Sequence, residues 1–337
     1  MTSQRTNLES PWPHRLAVLL VCATFPLIWV GGLVTTYDAG MAVPDWPSTY
    51  GYNLFAYPWQ TWLFGPWDLF IEHGHRLLGA LVGFIAIAFV VVVWRNDRRK
   101  SMRVAALGAL TLVILQGALG GARVLLDERQ LAMVHGCVGP AFFAYCVALA
   151  VFTSKKMHPA QADALAANPH RLQRLSLLTV VFAYLQLVIG AQLRHVSVMA
   201  APGVFRGAVV FHLVMAVVVT IHIFLLLLLV KQQFATIAPL QLPVVLLAIL
   251  VLVQVALGGA AWVVKYGWPE FLAEYSFAAP HTIQAKGVLQ ALIVTSHVAT
   301  GSLILAVSMT TLARSIRLFR MPTVALGSGA LMMELAT

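Results

Sequence analysis

Eight long apolar segments, separated by polar or aromatic loops, dominate the chain. Each is long enough to cross the hydrocarbon core of a bilayer, which takes about 20 helical residues. Every backbone polar group must be satisfied inside a bilayer, so segments of this length are predicted to be helices. They lie near residues 16–36, 74–94, 104–124, 131–152, 175–193, 208–230, 239–264 and 288–313.

A small polar motif recurs inside the odd-numbered segments. The third, fifth and seventh segments share the pattern Gln-x-x-x-Gly, and the first has a weaker version, Gly31-Gly32, without the glutamine. Small residues allow another helix, or a flat ligand, to approach the backbone closely. The three full copies are Gln116/Gly120, Gln186/Gly190 and Gln254/Gly258.

The even-numbered segments carry histidines instead, namely His75, His135, His212 and His297. Segments 1–4 and 5–8 therefore look like two copies of one four-helix unit, related as parallel repeats. The predicted fold class is an all-α integral membrane protein, with eight transmembrane helices arranged as two pseudo-symmetric four-helix bundles.

The same pattern predicts the division of the chain. We expect an N-terminal bundle that carries an outer loop, a linker, and a C-terminal bundle between two short tails. The expected bounds are 1–15 for the first tail, 16–152 for the first bundle with its loop at 37–70, 153–174 for the linker, 175–313 for the second bundle and 314–337 for the last tail.

Composition agrees with a membrane protein and excludes a soluble domain. Of the 337 residues, 60% are hydrophobic and 10% are charged. The net charge of +10 does not indicate a nucleic-acid partner, because most Lys and Arg residues fall in one set of alternate loops while most acids fall in the other. This positive-inside bias predicts a multi-pass protein with both termini in the cytoplasm. The N-terminal segment resembles neither a cleavable signal nor a mitochondrial transit peptide, so a bacterial inner membrane is expected.

The segment Ile71-Glu72-His73-Gly74-His75-Arg76 opens the second apolar run. Glu72, His75 and Arg76 stand at i, i+3 and i+4, so a helix places them on one face with His73 turned away. Ionisable groups at the mouth of a membrane span indicate a working site. The alternative is that Glu72 and Arg76 anchor the helix at the interface.

Four histidines at matching positions in a duplicated unit suggest haem ligation, since two imidazoles from facing helices can bind one haem iron. A single intramembrane histidine is more often a hydrogen-bonded core residue, and that alternative stays open for each. Zinc and di-iron sites fit less well, because closely spaced ligands are missing. Cationic residues at the outer helix ends could pair with haem propionates or snorkel to the interface; they are Arg76, Arg123, Arg194, His195 and Arg206.

These motifs together resemble the haem A synthase family over residues 15–315. The most specific signals are Glu72-x-x-His75-Arg76 and the outer-loop sequence Pro44-Asp45-Trp46-Pro47. The resemblance also rests on Val134-His135-Gly136, Gln186-x-x-x-Gly190 followed by Arg194-His195, Phe211-His212 and Ser296-His297.

The resemblance implies an oxidoreductase that converts a ring methyl of haem O into a formyl group, giving haem A for terminal oxidases. It implies that His75 and His135 bracket the substrate haem, that His212 and His297 bind a haem b iron, and that Glu72 is the catalytic carboxylate. Arg76 and Arg194 are candidate cofactor-binding residues. Candidate partners are a haem O synthase, an electron donor, membrane lipid and a second copy of the chain.

Two other functions stay open at this stage. One is a dihaem b-type electron carrier linked to quinol, and the other is a haem-binding protein without catalysis. A carboxylate beside only one histidine pair favours chemistry in the N-terminal half, because the segment Ala208-Val209-Val210-Phe211-His212 has no acid at the matching position.

The outer loop departs from many members of that family, which have cysteines where this chain has Val43 and Thr49. All three cysteines, Cys22, Cys137 and Cys146, fall in apolar segments, so no structural disulfide is expected. The aromatic loop could be a folded lid or a simple interfacial belt. As a lid, it is expected to be held by packing of Trp46, Tyr50 and their neighbours alone.

Overall fold

The computed structural model describes residues 10–155, 168–196, 199–267 and 287–319. All eight predicted spans are helices in these ranges, each long and apolar enough to cross a membrane. A short ninth helix lies in the outer loop. The helices are α1 (Trp12–Thr36), α2 (Trp59–Leu63), α3 (Trp67–Asn96), α4 (Lys100–Leu126), α5 (Arg129–Thr153), α6 (Pro169–His195), α7 (Pro202–Gln233), α8 (Ala238–Tyr266) and α9 (Val288–Leu318).

Most helices extend beyond the apolar run that predicted them, and α3 shows the consequence for function. It begins at Trp67, directly after Pro66, with Asp68 in its first turn. An acid in the first turn interacts favourably with the helix dipole. Since the helix starts seven residues before the apolar run, Glu72, His73 and His75 all lie on regular helix.

The long helices pack as two closed groups of four. In the first group α1, α3, α4 and α5 form a ring in which each helix packs on two neighbours, and α6, α7, α8 and α9 form a second ring. The rings meet where α9 packs against α1 and α5, and where α5 packs against α6. The prediction of an all-α protein with eight membrane-spanning helices is confirmed, while the pseudo-symmetry and the domain bounds stay predictions.

Each ring has its own apolar core. Leu20, Phe89 and Cys146 are fully buried in the first. Leu172, Ile223, Leu247 and Leu305 are buried in the second. Lipid provides no hydrophobic driving force between helices, so close packing of this kind is what holds the rings together. Cys22, Cys137 and Cys146 are free thiols in the structure.

Basic side chains cover the C-terminal carbonyls of α5. His14 Nδ1 lies 3.0 Å from the Ala150 oxygen, and Arg99 Nη1 donates to the Phe152 oxygen at 3.3 Å. Arg317 donates to the Val151 oxygen. Cations at a helix C-terminus satisfy its free carbonyls and complement the dipole. The side chains come from α1, the α3–α4 connection and α9, so this contact joins three elements to the end of α5.

The α3–α4 connection is closed by an ion pair between Asp97 and Arg99. Arg99 Nη2 lies 2.6 Å from Asp97 Oδ2. Burial disfavours the ionised carboxylate, but the hydrogen bonds and charge of Arg99 outweigh burial and lower the pKa of Asp97. The chain therefore turns between α3 and α4 around a charged aspartate.

The outer loop between α1 and α3 is a folded lid in its described part, residues 37–66. The Asp45 carboxylate accepts the backbone N–H groups of Tyr50 at 2.7 Å and Gly51 at 2.9 Å. These bonds close a turn in which Tyr50 and Gly51 both have positive φ, a conformation that glycine adopts without strain. Thr49 and Tyr52 form an isolated antiparallel bridge across the same turn.

Candidate functional site

The four histidines of the even-numbered spans face one another in two pairs. His75 on α3 faces His135 on α5, with ring centres 6.3 Å apart and ring planes at 79°. His212 on α7 faces His297 on α9, with ring centres also 6.3 Å apart and planes at 65°. In each ring of helices the two elements lie diagonally opposite, so each pair spans the middle of its own group.

This separation suits one metal ion between two imidazoles. Metal–nitrogen bonds of about 2 Å on opposite sides of an ion put the two ring centres roughly 6 Å apart. Within the described ranges no group of three or more His, Cys, Asp or Glu side chains could hold a metal ion. A haem needs only two protein ligands, because the porphyrin supplies the other four. The residues present therefore fit a haem in each half.

A glycine from the neighbouring odd-numbered span touches every one of these imidazoles. At each position, a Cβ atom added to the glycine would lie at or inside the shortest distance that a Cβ normally keeps from another atom. The nearest atom is the ring carbon Cε1 of the histidine. The distances are 2.8 Å for Gly31 and His75, 3.1 Å for Gly120 and His135, 3.0 Å for Gly190 and His212, and 3.2 Å for Gly258 and His297. The glycines of the sequence repeat thus make room for an imidazole, an occupant that the motif alone did not reveal.

The glutamines of the repeat reach the same histidines. The Gln116 side-chain amide donates to the His135 carbonyl oxygen at 2.7 Å, and His135 Nδ1 lies 3.1 Å from the Gln116 carbonyl oxygen. In the C-terminal half, Gln186 Nε2 lies 3.3 Å from His212 Nε2, and Gln254 Nε2 lies 3.4 Å from His297 Nε2.

Several buried polar atoms around the two pairs have no partner in the part of the chain that the structure describes. They are the Nδ1 atoms of His75, His212 and His297 and the Oε1 atoms of Gln116, Gln186 and Gln254. Buried polar atoms normally have hydrogen-bond partners, and each exception calls for an explanation. Their concentration at the histidine pairs marks these two places as sites for a polar or metal-bearing ligand.

Glu72 and Arg76 lie one turn apart on α3 and attach the lid. Glu72 is 3% exposed. Its Oε1 atom lies 2.8 Å from Arg76 Nη2, and its Oε2 atom accepts the Val43 N–H at 2.9 Å. Arg76 also donates to the carbonyl oxygens of Val43, Asp45 and Ser48 at 2.7, 2.7 and 2.9 Å. The expectation that packing alone holds the lid is therefore wrong, because charged side chains bind its backbone.

A second arginine and a tryptophan bring the lid against α4. Arg123 donates to the Gly40 carbonyl oxygen at 2.7 Å. The Trp46 indole lies so close to Gly121 that an added Cβ would overlap its ring atoms. Gly121 follows Gly120, the glycine that touches His135. The lid therefore closes over the His75–His135 pair.

His73 turns away from the pair and is buried beneath the lid. It is 2% exposed, and its Nδ1 atom lies 3.0 Å from Thr49 Oγ1. The rings of Tyr57 and Trp62 lie 5.1 and 5.4 Å from its ring centre. Thr49 occupies one of the positions where many haem A synthases have cysteine, so here a hydroxyl–imidazole contact fastens that part of the lid.

Arg194 crosses from the second ring of helices to the first. Its Nη2 atom donates to Thr36 Oγ1 at 2.6 Å and to the Gly32 carbonyl oxygen at 3.1 Å. Thr36 in turn lies 3.4 Å from Thr295, oxygen to oxygen. Gly32 adjoins the glycine that touches His75, and Thr295 precedes His297 by two residues. Arg194 thus sits between the two histidine pairs.

The remaining predicted cations and histidines lie outside the two pairs. His195 Nδ1 bonds to the Ala191 oxygen of its own helix, and His222 Nδ1 bonds to the Val218 oxygen. Arg206 and His170 are exposed. His158 and His281 lie outside the described residues.

Comparisons with known proteins find one matching family model and several similar curated proteins. Residues 66–208 match a family model described as cytochrome oxidase assembly protein. Similar curated proteins include the haem A synthase of Symbiobacterium thermophilum, which is 30% identical over 181 residues, 51% of this chain and 55% of that protein. The haem A synthase of Shouchella clausii is 25% identical over 54% of this chain and 59% of its own length. That of Halalkalibacterium halodurans is 25% identical over 68% of this chain and 79% of its own.

The matches to the first two relatives cover between half and two thirds of each relative's length. The family match contains Glu72, His75 and His135 and ends four residues before His212. Together these similarities support the haem A synthase family.

Proposed function

We propose that this chain, as a member of the haem A synthase family, oxidises a ring methyl group of haem O to a formyl group and so produces haem A. The observation that carries the proposal is the equal separation of 6.3 Å in two diagonal histidine pairs. Each pair suits a haem, and among the residues that the structure describes a carboxylate and a folded outer loop lie beside the N-terminal pair.

The N-terminal pair is the proposed substrate site. His75 and His135 would bind the iron of haem O from opposite sides. The lid, fastened by Arg76 and Arg123, would cover the porphyrin and exclude bulk water. A closed site of this kind strengthens the electrostatic interactions inside it and limits side reactions.

Glu72 is the proposed catalytic carboxylate. Conversion of a methyl to a formyl group with water as the oxygen source releases four protons and four electrons, so the site needs a proton acceptor and an external one-electron oxidant must take up the electrons. Oε1 of Glu72 is held by Arg76, whereas Oε2 accepts the Val43 N–H of the lid and no other hydrogen bond from the described residues. We assign Oε2 as the accepting atom, since a shift of the lid would free it.

The C-terminal pair, His212 and His297, is the proposed site of a resident haem b. When bound, this haem supplies one-electron redox chemistry, and the protein contributes the ligands and their orientation. The division of roles follows from the surroundings, because α7 carries no acid and the lid lies over the other pair.

Arg194 is the proposed partner of a haem propionate. In the described part of the chain its guanidinium contacts a hydroxyl and a carbonyl but no carboxylate. A buried guanidinium is costly unless an anion accompanies it, and a propionate would supply one. Arg76 was predicted in the same role, but lid carbonyls and Glu72 occupy its donors, so we assign it to the lid.

The protein is a multi-pass membrane protein, and we propose the inner membrane of a bacterium. Basic residues gather at the ends of the helices that the positive-inside rule puts in the cytoplasm, and the lid is at the opposite ends. Both termini would then be cytoplasmic. The basic cluster between α3 and α4 consists of Arg95, Arg98, Arg99, Lys100 and Arg103.

Haem extraction tests the function directly. The chain is expressed with a haem O synthase, and extracted haems are separated by chromatography. Wild type should yield haem A, and Glu72→Gln should lower the yield by roughly 100-fold, the scale of a lost general base. Asp68→Asn, an acid one turn earlier on α3, is the matched control and should leave the yield unchanged.

Two outcomes contradict the proposal. A normal haem A yield from Glu72→Gln would remove the catalytic assignment. A wild type that binds two low-spin haems but yields only haem B and haem O would favour the dihaem electron carrier, which needs the same paired imidazoles.

A further inference from the structure

We propose that the four glycines in contact with the histidines are positioning residues, which fix the direction in which each imidazole presents Nε2 to the iron. This inference rests on the proposed haem binding. The glycines are Gly31, Gly120, Gly190 and Gly258.

Each of these glycines has the imidazole of the facing histidine, and not the backbone of an adjacent helix, as its nearest neighbour. Among the residues that the structure describes, the only atoms within 4 Å of an added Cβ at Gly190 and Gly258 belong to the facing histidine ring, and at Gly31 the three nearest atoms all do. If the glycines served helix packing, backbone atoms of the next helix would be nearest. The absence of a side chain here therefore serves the imidazole.

Contact at Cε1 controls both ring nitrogens, because this carbon lies between Nδ1 and Nε2. With Cε1 resting on the glycine backbone, the ring cannot swing toward the neighbouring helix without a clash. An alanine methyl would come within 2.8–3.2 Å of Cε1 and push the ring away. The Nε2 atom would then turn off the line that joins it to the opposite imidazole.

The residue four places before the glycine adds a second point of control. The Gln116 carbonyl oxygen lies 3.1 Å from His135 Nδ1, which directs the ring proton to Nδ1 and leaves the Nε2 lone pair for a metal. In the C-terminal half the Gln186 and Gln254 amides donate to the Nε2 lone pair, the one that would bind iron, so they hold each ring by that nitrogen and a bound iron would displace them. The Gln-x-x-x-Gly repeat is thus a cradle for one imidazole, with the glycine at the ring edge and the glutamine at a ring nitrogen.

His75 is held less than the other three. Position 27, four residues before Gly31, is leucine, so no glutamine amide is available there. Its glycine contact is also the shortest, at 2.8 Å. Gly31 and the Leu27 backbone carbonyl are therefore the contacts expected to orient His75.

Adjacent glycines provide matched controls for the test. An added Cβ at Gly259, next to Gly258, meets no atom of the described residues within 4 Å, and the same holds for Gly117, three residues before Gly120. Full-length Gly258→Ala and Gly259→Ala are purified with haem bound, as are Gly120→Ala and Gly117→Ala. The readouts are haem per chain, the low-spin absorption bands and the electron paramagnetic resonance spectrum, with helix content as a measure of folding.

Gly258→Ala should lose the low-spin signal of one haem, bind it at least about tenfold more weakly and recover the low-spin signal on addition of free imidazole. Gly259→Ala should keep the wild-type spectrum. In the N-terminal half, Gly120→Ala should lose the low-spin signal of the haem at His75 and His135, and Gly117→Ala should keep it. This second pair of variants keeps the test decisive if a variant of the first pair fails to fold.

Identical spectra within both pairs of variants would overturn the inference while leaving the proposed function intact. Equal haem loss from Gly258→Ala and Gly259→Ala would also overturn it, because ring contact would not be the cause. A wild-type protein without any low-spin haem would overturn the proposed function and this inference together.

Discussion

Gln116 and His135 hold each other through two reciprocal hydrogen bonds that join α4 to α5. The glutamine side chain donates to the histidine backbone, and the histidine ring donates to the glutamine backbone. Side-chain hydrogen bonds between transmembrane helices contribute modestly on average, so this double contact matters chiefly for orientation. The same pair of hydrogen bonds orients the His135 imidazole and fixes the distance between α4 and α5.

Removal of the Gln116 side chain should weaken the contact between α4 and α5, while the hydrogen bond from the His135 imidazole to the Gln116 backbone remains. In Gln116→Leu the His135 carbonyl oxygen loses its side-chain donor, which should destabilise the protein by about 1 kcal/mol. Thermal unfolding in detergent measures the change. Gln130→Leu, at an exposed position on α5, is the control. Equal stability of the two variants would show that the amide bond contributes nothing.

The histidine pairs predict which substitutions remove which haem. His212→Ala and His297→Ala should each lose one low-spin haem per chain while the protein stays folded, since a haem with one protein ligand becomes high-spin or is lost. His222→Ala is the control, because its ring bonds to its own helix and packs on Phe182. Optical spectra and haem content measure the result, and unchanged spectra in both variants would exclude the pair as ligands.

The arginine contacts predict how the lid opens. Arg123→Gln removes a charge-assisted bond to the Gly40 carbonyl oxygen, a type of bond that contributes about 1.5–3 kcal/mol. The loop should open more often, so chymotrypsin should cut its exposed aromatic residues several times faster. Arg206→Gln, at an exposed position on α7, is the matched control. A lid that stays equally protected in Arg123→Gln would assign its closure to Arg76 and packing.

Asp45 predicts the acid sensitivity of the lid. Burial disfavours its ionised form, but hydrogen bonds from Gly51, Ser48 and Tyr50 outweigh burial and lower its pKa below the ordinary 3.8. A lowered pKa means that the folded lid favours the carboxylate. The stabilisation is therefore complete above pH 3.8 and is lost as the pH falls through the lowered value.

Hydrogen exchange of the Tyr50 and Gly51 amides measures this effect. Their protection should fall in wild type when the pH drops below about 3.8, after correction for the intrinsic exchange rate. Asp45→Asn should show weak protection at every pH and no acid transition. An acid transition that persists in Asp45→Asn would assign it to another group.

The number and positions of the membrane spans were predictable because they depend on length and polarity alone. Apolar runs of bilayer length located all eight helices, although α3 and α7 begin several residues earlier than the runs suggested. Prolines and polar residues in the first turns concealed those starts. Four histidines at matching places in alternate helices similarly predicted the two facing pairs.

The lid contacts could not be predicted in the same way. Arg76 and Arg123 bind backbone carbonyls of the loop, and any residue type presents such a carbonyl, so no sequence pattern marks the acceptor. The same limit applies to Gly31 and Gly258. A glycine in a helix indicates that something comes close, but only the arrangement of helices identifies an imidazole as the neighbour. His73, buried under Thr49 and Trp62, was likewise visible only as a residue on the other face of α3.

The contacts of Arg194 bear on whether the two halves of the chain can be expressed as separate proteins. Its charge originates in one half of the chain and is accommodated by Thr36 and Gly32 of the other. If the C-terminal half were expressed alone, the Arg194 guanidinium would lose its partners and face lipid. If the N-terminal half were expressed alone, Gly32 and Thr36 at the end of α1 would lose the arginine that contacts them. The two halves of the chain are therefore expected to stabilise each other through this contact.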